Sequence, residues 1–73
     1  MIDLYTAVKL LQIEHGEVVC IRRDGSFYDY CPSFYTGKEI REKFDMRKEK
    51  IVKIAPYFNF GEFKCFALTL AKR

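Results

Sequence analysis

Seventy-three residues make one domain, and a chain of this size buries only about 60% of the surface that its unfolded form exposes. With 49% hydrophobic and 32% charged residues, seven Phe, five Tyr and no Trp, the composition excludes a disordered chain and asks for an aromatic-rich core. The net charge of +3 is too mild to point by itself to nucleic acid. No apolar run is long enough to span a membrane, and Asp3, Lys9 and Glu14 interrupt the stretch where a signal peptide would be apolar; the expectation is a cytoplasmic protein.

In chain order, Asp3 is a good N-cap. Behind it Leu4, Ala7, Val8 and Leu11 recur at i, i+3, i+4 and i+7, the stripe of a helix lying on a core, with Gly16 as its stop and His15 in its last turn. Two strands, 17–23 and 26–31, flank Asp24-Gly25, a strong type I′ hairpin signal that would pair Arg23 with Ser26, Ile21 with Tyr28 and Val19 with Tyr30. Pro32 ends the second strand. Thr36 and Glu39 then have the spacing of a capping box, opening a short helix with Ile40 and Phe44 inward and Glu39 and Lys43 as an i,i+4 pair.

The last third, 50–70, reads as two strands folded back at Asn59-Phe60-Gly61. Val52 and Ile54 share one side with Phe66, Leu68 and Leu70, and Pro56 marks an edge or a strand end. The order is α-β-β-α-β-β. The simplest architecture is a single α+β domain over residues 1–73: a four-stranded antiparallel sheet from two β-hairpins, with two short helices on one face.

No catalytic, metal or phosphate-loop motif is present. His15 is the only histidine, and Gly16, Gly25, Gly37 and Gly61 stand singly at turns or caps. Cys20, Cys31 and Cys65 have no disulfide or metal spacing, so reduced thiols are expected and no cofactor is implied. The strands are apolar on two sides, and two short helices cover only one face. The other face must therefore close on itself or be buried against another protein, a second copy of the chain included.

That argument favours interaction over chemistry. The expected contact residues are the aromatic anchors Tyr28, Tyr30, Tyr57, Phe58, Phe60 and Phe63, rimmed by Arg41, Arg47, Lys48, Lys50 and Lys53. Phe60 stands out, because a large apolar side chain at a hairpin tip has little structural reason to be there. The same basic and aromatic residues could instead hold phosphates and stack bases, which makes nucleic-acid or nucleotide binding the alternative.

The layout, with a capped helix 4–11, the Asp24-Gly25 turn, a capped helix 36–44 and the closing hairpin KEKIVKIAPY…FKCFALTL, resembles small proteins of bacterial viruses and other mobile elements. The resemblance implies an inhibitor that binds a host protein, such as a CRISPR effector or another defence component. The mildly basic charge argues against imitation of DNA and for steric blocking of a protein surface.

Overall fold

Asp3 closes a two-residue strand, β1 (Ile2–Asp3), and opens the first helix, α1 (Leu4–Leu10), by accepting a 2.7 Å hydrogen bond from the Thr6 N–H. The structure, a computed structural model, describes residues 1–25 and 33–72. Its further elements are β2 (Val18–Arg23), β3 (Ser33–Thr36), α2 (Gly37–Lys43), β4 (Lys50–Asn59) and β5 (Glu62–Leu70). Leu4, Ala7 and Val8 are buried and Leu11 packs against them, as the sequence spacing requires.

The first helix stops before Gly16. Leu11 caps it and Gln12 takes the left-handed conformation (φ 54°). The Gln12 and Ile13 N–H groups then donate back to the Lys9 and Val8 carbonyls, a Schellman ending with Ile13 buried beside Val8. His15 therefore lies beyond the helix and is exposed. The expected capping box of α2 is present: Thr36 Oγ1 accepts from the Glu39 N–H, and Glu39 Oε1 accepts from the Thr36 N–H. The turn before β2 docks on this helix start, the Gly37 N–H donating to the Glu17 carbonyl and the Lys38 N–H to that of His15. A side chain at Gly37 would put its Cβ 2.1 Å from the Glu14 carbonyl oxygen, so the close approach requires glycine.

The α+β class and the two short helices stand, but the sheet differs from the expectation. It has five strands in the order β1-β4-β5-β2-β3, and it is mixed, because β2 runs parallel to β5. The reason lies in which strands can tolerate burial on both faces. In β2, Val19, Cys20 and Ile21 are all buried, and in β5 so are Cys65, Ala67, Leu68 and Leu70. Those two strands take the centre, where such runs belong, in place of each staying only with its hairpin partner. β2 finds its antiparallel partner in β3, with Val19 opposite Tyr35 and Ile21 opposite Ser33, and not in the expected pairing with Tyr30 and Tyr28. Tyr28, Tyr30 and Cys31 lie outside the described residues.

Both helices feed one core, in which Leu4, Ala7, Val8 and Ile40 meet Val19, Ile21, Ile51, Leu68 and Leu70. A β-bulge between Ile51 and Lys53 turns Ile51 inward and leaves Val52 exposed, the reverse of the expected alternation. The aromatic-rich core is also corrected: the buried core among the described residues is aliphatic, with Tyr35 and Phe44 packed only at its margin. On the opposite face Cys20, Cys65 and Ala67 form a small second cluster with Tyr57 against it.

Candidate functional site

The β4–β5 hairpin outruns the helices. Ten residues of strand extend about 30 Å, whereas a seven-residue helix spans about 10 Å. Beyond Leu68 neither helix reaches the face, and it carries an aromatic cluster. Phe58 and Phe63 meet edge to face at 6.2 Å, Phe63 and Phe66 at 5.4 Å, and Ile54 shares the side of β4 that Phe58 occupies. A register shift between Tyr57 and Phe58 passes over Lys64 and brings Phe63 to the face of Phe66. Phe66, expected on the side of Leu68 and Leu70, is half-buried there, and its ring completes the cluster although it is not among the expected contact residues.

At the tip Asn59 pairs with Glu62, and the two residues between them, Phe60 (φ 54°) and Gly61 (φ 80°), have the left-handed backbones of a type I′ turn. Glycine takes that conformation freely; a phenylalanine there is strained. Phe60 is also 98% exposed, with Phe58 at 56% and Phe63 at 53%. The three together amount to about two fully exposed Phe residues, roughly 400 Å² of apolar surface. Apolar surface of this extent on a small protein is often functional.

The other site residues read from the sequence lie apart from this cluster. Tyr57 faces the opposite side of the sheet, where its ring meets that of Phe34 edge to face at 5.4 Å. Lys53 is exposed in register with Thr69 on that same side. Arg41 Nη2 donates to the Ile13 carbonyl at 3.0 Å, which ties α2 to the end of α1. Arg47 stacks over Tyr5, its guanidinium carbon 3.8 Å from the ring centroid, and pairs with Asp3 at 3.5 Å. Lys48 and Lys50 belong to the turn and strand start at the far end of β4. Arg41, Arg47, Lys48 and Lys50 therefore lie by the helices and the turn after α2, Phe58, Phe60 and Phe63 at the hairpin tip, and Lys53 and Tyr57 on the opposite face of the sheet.

Burial raises the pKa of the Cys20 thiol, with Arg22 acting against it, and raises that of Cys65 as well, which favours the protonated form of these two buried thiols. Among the described residues no three His, Cys, Asp or Glu side chains gather as a metal site would require, and no helix is long and apolar enough to cross a membrane. Compared with protein-family models, with curated proteins and with solved structures, the chain finds no match.

Proposed function

We propose that this chain is a non-enzymatic binding protein that acts by covering a functional surface of a partner protein, with the aromatic end of the β4–β5 hairpin as its docking surface. The resemblance to small mobile-element proteins supports a host protein, such as a defence component, as the partner. The observation that carries the reading is Phe60: a strained backbone and a fully exposed aromatic ring at the same residue, two costs that the fold itself does not recover. Around it Phe58 and Phe63 supply the rigid, low-entropy anchors on which protein interfaces concentrate their energy. From Ile54 to Phe60 the strand carries no charged residue, so a protein surface can close over it without stranding an ion.

The test compares the tagged wild-type chain with Phe60→Ala and with Phe58→Ala/Phe63→Ala in bacterial extracts, with retained proteins quantified by mass spectrometry. Circular dichroism confirms that the variants are folded, and sedimentation reports the oligomeric state. A protein retained by the wild type and reduced about tenfold or more by the hairpin variants is the expected result. Equal retention by all forms, or a stable homodimer that the same substitutions dissolve, would sink the reading, the latter because the patch would then be covered by a second copy.

A further inference from the structure

A second concavity lies at the other end of β4. The turn after α2 is pinned by Asp45, whose Oδ1 accepts the N–H groups of Arg47 and Lys48, each at 3.2 Å, while its carbonyl accepts those of Lys48 and Glu49. Between this turn, the end of α2 and the residues after β5 is an open cleft of about 410 Å³. Lys43, Lys48, Lys50 and Lys72 line it, against two carboxylates, Asp45 and Glu49, and with Phe44 as its aromatic wall.

Glu49 is already neutralised. Arg23 donates to both of its oxygens, Nη1 to Oε1 at 3.1 Å and Nη2 to Oε2 at 2.5 Å, and Nη1 also donates to the Ala71 carbonyl at 3.0 Å, which fixes one side of the cleft. Asp45 is engaged with backbone amides. Lys43 meets Glu39 at 3.5 Å and lies over the Tyr35 ring at 5.6 Å, and Lys50 meets the Arg47 carbonyl at 3.3 Å; the two polar contacts are exposed ones that a stronger anion displaces readily. The Lys48 and Lys72 ammonium groups meet no polar partner among the described residues.

The Arg23 guanidinium beside the cleft, a fork well suited to a simple carboxylate, is thus consumed within the fold, and the four lysines that line the concavity are flexible point charges. That arrangement fits a compact anion with several charges, and the volume is within the usual range for a small-molecule site. We propose that the cleft bordered by Lys43, Lys48, Lys50 and Lys72 binds a phosphate-bearing small molecule, with its oligophosphate group among the four ammonium groups. The site shares no residue with the hairpin surface and stands or falls separately from it.

The experiment is an NMR titration of the full chain at low ionic strength with inorganic tripolyphosphate, with a nucleoside triphosphate, and with a single-stranded oligonucleotide. Saturable shifts confined to residues 43–50 and 71–72 are expected. Lys48→Gln/Lys72→Gln weakens binding about tenfold or more, whereas Lys53→Gln, outside the cleft, leaves it unchanged. Equal affinity for tripolyphosphate and the nucleotide assigns the site to the phosphate chain alone, and tighter nucleotide binding adds a base resting on Phe44; either outcome supports the proposal. It is overturned by shifts that do not saturate or that spread to Lys53 and Lys64, by binding indifferent to the double substitution, or by binding of the oligonucleotide alone, which would make the surface one for nucleic acid.

Discussion

At the scale of the residue, Phe60 sets stability against function. An L-residue in the left-handed region gives up roughly 1 kcal/mol or more relative to its favoured conformations, and Phe60 recovers none of this through burial. Asparagine tolerates that conformation and is the preferred first residue of a type I′ turn before glycine. Phe60→Asn is therefore expected to stabilise the fold by about 0.5–1 kcal/mol, a rise of several degrees in the thermal midpoint of a domain this size, while weakening partner binding. Calorimetry or urea unfolding measures the first effect; a midpoint that falls instead would mean that the Phe60 ring supports the fold and is not held there for binding. The exposure of Phe60 was legible in the sequence, since it stands beside Gly61 between two alternating strands. Its strain was not, because the same three residues, Asn59-Phe60-Gly61, permit a turn type in which phenylalanine keeps a negative φ. The cluster partner Phe66 was misread for a geometric reason: strict alternation puts it with Leu68 and Leu70 and gives no hint that the helices end short of it.

At the scale of the element, the two helix starts make a pH-dependent contribution. The Thr6 side-chain and backbone hydrogen bonds, with Arg47 and Lys50 behind them, hold the Asp3 carboxyl below its ordinary 3.8, and the Thr36 N–H chiefly holds Glu39 below its ordinary 4.5. Both carboxyls bind a proton more readily in the unfolded chain than in the folded one. The stabilisation is thus fully present above the ordinary values and is lost as pH falls through the lowered ones. The thermal midpoint is expected to be level from neutral pH to about 5 and to fall below that. Asp3→Asn with Glu39→Gln, which keep the cap hydrogen bonds but remove the charge, should flatten the fall; an unchanged acid profile in that double variant would assign the loss to other groups. These caps were readable because a cap is made within four residues. The β4–β5 hairpin was readable for the same reason. The neighbours of β2 were not, since the Asp24-Gly25 signal describes a turn and says nothing of the strand on the other side. The parallel pairing of Ile21 with Leu68 joins residues far apart in sequence, and its only local trace is that both strands carry apolar residues on two faces.

At the scale of the whole molecule, β4 works as a spacer. It begins at Lys50 in the basic cleft and ends at Asn59 beside the aromatic tip, so the two surfaces are separated by about 30 Å of rigid strand. The longest dimension of the molecule is 33 Å, which puts them near opposite ends. Lys43, Lys48, Lys50 and Lys72 stand at one end, and at the other the run 54–60 carries no charge, with Glu62 and Lys64 paired to each other beside it at 3.1 Å. Interactions between exposed charges fade over roughly 8 Å at physiological ionic strength, so neither surface feels the other through solvent. Coupling through the protein would need an element with two discrete arrangements, and β4 is held along most of its length by β5 and at its start by β1. The two surfaces are therefore expected to behave independently. Combining Phe60→Ala with Lys48→Gln should give effects on partner affinity and on tripolyphosphate affinity that add within about 0.5 kcal/mol, and saturating tripolyphosphate should leave partner affinity unchanged. A double-mutant cycle read by calorimetry decides it. Non-additivity of more than about 1 kcal/mol would show that β4 transmits a change from its basic end to its aromatic end, and would make the small anion a regulator of docking instead of an occupant of a separate site.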